Sequence, residues 1–377
     1  SSYNRELQNN IIEKLCEVIQ SSINISSGPL MKVGIFTGKE EDYVMIAIHH
    51  LVVDAISWKI LIDDLNRGYI QAIMQRSIQL NGKTISYKSW IMHINEYATN
   101  TGFDSERQYW DKIKKSAELF YVKDDGFVFE ATTKRSLSYK KCVVNSELTD
   151  KLVHKALKKY STKVNDLLLT ALGRTLYHVT HNSNIVISLE SHGRHDVGKD
   201  VQIDETIGWF TNIYPVEIPV KDNIKDDIIT TKECLRSIPN NGMGFSLLQD
   251  YDSLTTDVIF NYLGELNYKE TDKENTLVVV DMSTGKNIAD DNLMMYGIMI
   301  DAQIVNETVI LSLLYDNGRY RDSYIDNFLN CYKTCLEEIV EHCTRDEEVI
   351  KTVSDVGAKD LEEFELDELN NLLEMLN

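Results

Sequence analysis

Proline is nearly missing from this chain, with four in 377 residues, and glycine is modest at 18. Proline-rich spacers and glycine-serine tethers are therefore excluded, and the parts of the chain must be packed lobes. Cysteine is sparse too, at six, and no Cys-x-x-Cys pair occurs. A disulfide framework is excluded, and a reducing cytoplasm fits best. Positive charge is short: 39 Lys and Arg against 59 Asp and Glu give a net charge of −20, the wrong sign for a nucleic-acid binder. No apolar run approaches the ~18 residues of a membrane span, and no signal peptide is visible at the start. The opening Ser1-Ser2-Tyr3, without Met, reads as a piece of something longer or as the start of a processed or tagged protein. What remains is ordinary globular composition, 43% hydrophobic and 26% charged, in a length that favours about two domains of roughly 150 residues.

Hydrophobic spacing predicts a helix over residues 5–21, strands over 30–36 and 43–49, and a helix over 55–75 with Asp54 as its N-cap. Helices over 87–98 and 104–115 follow, then strands pairing within 119–145. Helices over 147–160 and 164–179 show a clear 3.6-residue pattern. Strands are predicted at 184–189, 213–220, 257–262, 276–281, 296–305 and 308–315, before a closing helix over 323–343. Alternating strands and helices argue an α/β or α+β fold. The end is different: residues 360–377 are acidic, with Leu361, Phe364, Leu366, Leu369, Leu372, Leu373 and Leu376 at helical spacing. This reads either as a capping or frayed helix or as an element that engages another protein.

The chemistry-bearing residues begin with His49-His50-Leu51-Val52-Val53-Asp54, where a predicted strand meets a predicted helix. On a strand, adjacent histidines point to opposite faces, so one of them enters a given cavity. Such a pair cannot chelate one ion comfortably, and no metal is expected. Two readings stay open on the residues alone: packed histidines beside an N-cap Asp, or a general base that titrates near neutrality. Cys331, Cys335 and Cys343 with His342 could form a soft-metal site, but small buried residues are the better reading. Lys151, Lys155, Lys159 and Lys163 share one helical face, either solvated or a docking patch for an acidic protein.

The run His49-His50-Leu51-Val52-Val53-Asp54-Ala55-Ile56-Ser57-Trp58 resembles the HHxxxD(G/A)xSW motif of nonribosomal peptide synthetase condensation-type domains, and its Ser-Trp ending resembles the epimerization branch. Matches follow in the family's order. Val164-Asn165-Asp166-Leu167-Leu168-Leu169-Thr170-Ala171-Leu172 is similar to its VNDxLLTAL helix. Glu190-Ser191-His192-Gly193-Arg194 is similar to EGHGR, with Ser191 for a Gly and His195 for the following Glu. Ile207-Gly208-Trp209-Phe210-Thr211-Asn212-Ile213-Tyr214-Pro215-Val216 resembles VGWFTxxYPV, and Phe260-Asn261-Tyr262-Leu263-Gly264 resembles FNYLG. The similarity runs from about residue 28 to 355. The family's LTPIQ-type opening is absent, which implies that the first lobe begins outside this chain.

The resemblance implies an α/β fold like chloramphenicol acetyltransferase: two lobes in a V with a central channel, here residues 1–145 and 146–355, with 356–377 as an acidic amphipathic tail. It implies a cytoplasmic isomerase that inverts the α-carbon of an aminoacyl or peptidyl thioester. A peptidyl carrier protein just upstream presents that substrate on phosphopantetheine. No cofactor is bound by the domain, because the thioester itself takes up the electrons. His50 and Glu190 are then the catalytic pair. His49, Asp54, His192, Arg194, Asn261 and Tyr262 support them, and Trp209 and Tyr214 line the channel. Asp54 more naturally orders the histidine loop through an ion pair, with Arg194 as a candidate partner. Asn261 and Tyr262 cannot both face the channel from a regular strand, and one of them is a candidate donor to the enolate oxygen. The tail is a candidate contact to a downstream condensation domain. Two alternatives remain: a peptide-bond-forming condensation domain of the same fold, or a catalytically silent recruitment module. Against the first, no DFGWG-like motif occurs late in the chain, where the strands read Tyr296-Gly297-Ile298-Met299-Ile300.

Overall fold

The computed structural model describes residues 2–38, 41–100, 102–124, 137–195, 201–221, 223–248, 254, 256–266, 277–280, 282–289, 295–346 and 348–355. Of the strand pairing expected within 119–145, residues 119–124 form no strand and 137–143 form one that pairs with the strand at Thr308–Asp316 instead. Residues 125–136 and the acidic tail at 356–377 lie outside the described residues. The chain divides into two compact units, and each takes several separate segments. The first comprises Ser1–Tyr97, His192–Thr211 and the described part of Lys269–Asn292. The second comprises Ala98–Ser191, Asn212–Tyr268 and the described part of Leu293–Asn377. A single boundary at residue 145 therefore does not divide the molecule. The reason is local packing that a linear reading cannot see. Gln20 Nε2 donates to Thr284 O at 2.7 Å, Lys286 N–H donates to Glu17 at 3.0 Å, and Met282 packs on the first unit's core.

In the first unit, α1 (Ser2–Ser21) lies against a hairpin of β1 (Met31–Phe36) and β2 (Tyr43–Ile48). Ile12 and Cys16 from the helix meet Met45 and Ala47 from the hairpin, with Ile19, Phe36 and Tyr43 around them. The antiparallel register pairs Met31 with Ile48, Val33 with Ile46 and Ile35 with Val44. Those six apolar side chains share the other face, because strand residues alternate. After β2 come α2 (Ala55–Ile73) and α3 (Tyr87–Thr99). Asp54 starts α2 as expected, its Oδ1 accepting the Ser57 N–H at 2.7 Å.

The second unit begins with α4 (Arg107–Ala117), β3 (Leu137–Val143), α5 (Ser146–Lys151), α6 (Val164–Thr180), β4 (Asn184–Ser191) and β5 (Asn212–Pro219). It continues through α7 (Ile224–Arg236), α8 (Met243–Leu247), β6 (Val258–Leu266), β7 (Ile298–Val305), β8 (Thr308–Asp316) and α9 (Asp322–Thr344). Its six strands run in the order β3-β8-β7-β6-β4-β5. The pairs β4–β6 and β6–β7 are parallel and the rest antiparallel. Leu167, Leu168, Leu172 and Leu176 of α6 and Leu336 and Ile339 of α9 are fully buried. Each such side chain contributes about 1.5–3 kcal/mol.

Three expectations change here. The helix expected over 147–160 is α5 followed by a wider π-type turn over Leu152–Ala156, which leaves Leu152 and Ala156 both fully buried. Residues 277–280, expected as a strand, form none. α7 was not expected, because its β-branched Ile and Thr residues blur the helical period. Its start is marked by Asn223, whose side chain accepts the Asp226 N–H at 2.9 Å. Among the described residues, no helix is long and apolar enough to cross a membrane.

Candidate active site

β2 ends at Ile48, and the next residues turn rather than extend. His49 N–H donates to Leu30 O at 2.8 Å, and His49 Nδ1 accepts the Leu51 N–H at 3.2 Å. In the neutral ring the proton then sits on Nε2. This side-chain cap starts a short 3₁₀ turn, His50–Val52. His50 therefore belongs to a turn, and the strand alternation expected for the two histidines does not apply. Its ring is exposed and meets the Trp209 indole edge-on, with centroids 5.6 Å apart and planes at 71°.

Asp54 is 3% exposed and fully engaged. Besides capping α2 it accepts the Phe210 N–H at 3.1 Å, and Arg194 Nη2 lies 3.1 Å and 3.3 Å from its two oxygens. Arg194 is itself buried. Its Nη1 donates to Ile203 O at 3.0 Å and Thr206 O at 2.8 Å, and its guanidinium stacks 3.9 Å above the Phe210 ring. Ser57, wholly buried, completes the network: its Oγ accepts from Arg194 Nη2 and from Gly208 N–H, both at 3.0 Å, and donates to Gly208 O at 2.9 Å. A buried ion pair of this kind is held by the hydrogen bonds of its remaining polar groups; in this network the buried Arg194 Nε makes no such bond among the described residues. Asp54 thus ties together the start of α2, the Arg194 guanidinium and the Phe210 peptide.

His192 accepts the Arg194 N–H on Nδ1 at 3.0 Å, and its ring lies 4.3 Å from that of His195. Loss of surrounding water, then the Arg194 charge, holds its imidazole below the ordinary value. The side chain is nevertheless largely exposed, so solvent screens this effect.

In the second unit, Glu190 stands near the end of β4. The register pairs Ser188 with Ile259 and Leu189 with Phe260, and across β6–β7 it pairs Asn261 with Asp301. Strand alternation then puts Glu190, Asn261 and Asp301 on one face of the sheet and Tyr262 on the other. Of the two FNYLG candidates, Asn261 therefore shares the face of Glu190 and Tyr262 does not. Two residues here escaped the sequence reading. Tyr296 bonds Ser188, and its phenol is raised by burial and by the charge of Glu190. Asp301 is raised by loss of water around it, although the residue is exposed and solvent screens the effect. Neither falls in a recognisable motif; Asp301 was findable only as a charged residue inside a β-rich run. Tyr214 is 7% exposed, bonds Ser191, and is pushed by burial to about 12. Its ring covers Gly242, whose φ of +80° and lack of a Cβ permit the contact.

The remaining clusters are structural. His342 bonds the Tyr160 hydroxyl at 2.7 Å and stacks on its ring. Cys331 and Cys335 bond one another beside Thr175, and burial raises Cys343 to about 12. Among the described residues no group of three or more His, Cys, Asp or Glu could hold a metal. The lysine face is also broken: Lys159 is 6% exposed and bonds Asp346 at 2.7 Å.

Residues 1–362 match the family model described as Condensation domain. The chain is 34% identical to Tyrocidine synthase 1 of Brevibacillus parabrevis, over 99% of this chain and 36% of that protein. It is 34% identical to Bacitracin synthase 2 of Bacillus licheniformis, over 95% of this chain and 14% of that protein. It thus spans only a part of each of these relatives. Among solved structures it is similar to the epimerization domain from the third module of tyrocidine synthetase B, with a TM-score of 0.82 and 32% identity over 90% of this chain and 78% of that one. The condensation domain from Monacolin K polyketide synthase shares the fold, with a TM-score of 0.67 and 13% identity over 87% of this chain and 76% of that one.

Proposed function

The chain belongs to the condensation-domain family, and from that premise we propose that it is an epimerization domain of a nonribosomal peptide synthetase. The observation that carries the reading is the likeness to a solved epimerization domain, at 32% identity and a TM-score of 0.82. The substrate is an aminoacyl or peptidyl thioester on the phosphopantetheine arm of an upstream carrier protein. One of His50 and Glu190 takes the α-proton; the C–H electron pair moves into the thioester carbonyl as an enolate. The other returns a proton to the opposite face, and the enolate collapses to the inverted thioester. Asn261, on the sheet face of Glu190, is the better placed of the FNYLG pair to donate to the enolate oxygen. The thioester serves as electron sink, so the reaction as proposed uses no bound cofactor. Residues 360–377 are proposed to meet a downstream condensation domain.

The test is α-deuterium incorporation from heavy water into L- and D-aminoacyl thioesters on the carrier protein, in a protein carrying the complete domain. The wild type should exchange and interconvert both. His50→Gln and Glu190→Gln should each lose interconversion by about 10²–10⁴-fold and retain exchange into one enantiomer, a different one for each variant. If either variant exchanges both enantiomers at comparable rates, the two-base assignment is wrong. A domain that joins two substrates without washing deuterium into the α-position is a condensation domain instead.

A further inference from the structure

Trp209 presents its indole to His50 while 39% of its own surface stays in water. Packing holds such a side chain weakly, so the backbone beneath it, which sets where its Cα–Cβ bond starts, bears directly on where the indole can lie. Two peptide planes flank its Cα, and both are tied down within the first unit. In the plane before it, Gly208 C=O accepts the Ser57 hydroxyl at 2.9 Å. In the plane after it, Phe210 N–H donates to Asp54 at 3.1 Å, and Trp209 C=O accepts the Tyr87 hydroxyl at 2.6 Å. Because a peptide unit is rigid, fixing both planes fixes the two dihedrals between them and with them the Cα–Cβ direction.

Ser57 and Asp54 belong to the histidine motif, but Tyr87 comes from the start of α3 and from no motif. Its ring meets Phe210 edge-on at 5.0 Å and 84°. It also presses on Gly208 so closely that a Cβ added there would overlap the ring. Burial raises its hydroxyl above the ordinary phenol value, and the Asp54 charge adds to this, so it remains a donor at neutral pH.

We propose that Tyr87 is a positioning residue: it fixes the Trp209 peptide and so sets the indole against which His50 is held. The kinetic consequence rests on the reading of His50 as a proton-transfer group; the geometric one does not. Tyr87→Phe keeps the ring over Gly208 and removes only the donor. In epimerization it should lower kcat about tenfold and leave KM within twofold, because misplacing a reacting group by a fraction of an ångström acts on the chemical step. Trp209→Phe, which keeps an aromatic edge, should retain more activity than Trp209→Leu. The independent readout is the His50 imidazole resonance in histidine-labelled protein, assigned with His50→Gln. The Trp209 ring current shifts it in the wild type; Tyr87→Phe should move it toward its position in Trp209→Leu, while the His342 resonance of the second unit stays put. A His50 resonance and a kcat both unchanged in Tyr87→Phe overturn the proposal. If His50→Gln leaves epimerization intact, the functional reading fails, yet the resonance shift still decides the role of Tyr87. Should Tyr87→Phe not fold, the same two readouts in Trp209→Phe and Trp209→Leu decide it: a His50 resonance and a kcat unchanged from the wild type in both deny the indole any hold on His50 and overturn the proposal, which requires that hold.

Discussion

Along β7, Ile298, Ile300, Ala302 and Ile304 are at most 2% exposed, whereas along β1 Met31, Val33 and Ile35 are 43, 51 and 68% exposed. Both runs have the alternation of a half-buried strand. In the second unit a six-stranded sheet and the helices α6 and α9 take up the apolar residues. In the first, a hairpin buries one face on α1 and, among the described residues, the other face stays largely exposed. Around the candidate site the first unit adds to a few buried apolar residues, Val53, Trp90 and Phe210 among them, a polar network in which Asp54, Ser57 and Tyr87 hold backbone groups and Arg194 neutralises the buried carboxylate. Apolar burial is spread over many residues and degrades gradually. A network of this kind depends on each member, because a lost partner leaves a desolvated group behind.

The contrast is most exposed at Arg194. Arg194→Ala leaves Asp54 buried and unpaired and should cost about 3–5 kcal/mol. Hydrogen exchange should show lost protection across residues 49–58 and 206–210 while α6 and α9 keep theirs. Simultaneous loss in both units would break the contrast. Next, Leu172→Ala in α6 should destabilise the second unit by about 2–5 kcal/mol, while Ile35→Ala on the open hairpin face should stay within about 0.5 kcal/mol. Equal shifts in denaturant midpoint would mean that the hairpin face is covered in solution.

The smallest effect is on pH dependence, and its sign differs between the units. Glu106, 3% exposed, is raised by burial, although Asn240 and Trp110 donate to it at 2.6 Å and 2.8 Å and oppose the shift. The folded carboxyl therefore keeps a proton that the unfolded one has released. Its contribution is full below 4.5, the ordinary value, and is lost as pH rises through the raised one. His192 is lowered from 6.5, so its contribution is present above that value and is lost as pH falls through the folded one. Melting curves followed by exchange in each unit should slope in opposite senses over these windows. Glu106→Gln and His192→Gln should each flatten only their own slope.

Much of this was legible in the residues. Asp54 announced the start of α2 by its type and place, and the helix at α6 by its leucine spacing. The strand pairs β1–β2 and β7–β8 followed from apolar runs around short turns. The motif residues were found by resemblance, and the structure gathers six of them, His49, His50, Asp54, His192, Arg194 and Trp209, into the first unit. Less local facts were hidden. The turn at His50 depends on a side-chain cap by His49, which reads in sequence as one more residue of the strand. The burial of Lys159 depends on Asp346, far along the chain. Tyr87 belongs to no motif, and its partner peptide lies 122 positions away.

The separation between Asp54 and Arg194 also sets a timetable. They are 140 residues apart in sequence. At the usual pace of synthesis, about 5–20 residues per second, roughly 7–28 s pass between their emergence from the ribosome. During that interval the carboxylate has no counter-charge and keeps its water. The histidine loop cannot close around it, and the peptide that will carry Trp209 has not yet been made. The histidine loop and Arg194 can therefore be joined only after all the sequence between them has left the ribosome, while β6, β7, β8 and α9 are still to come.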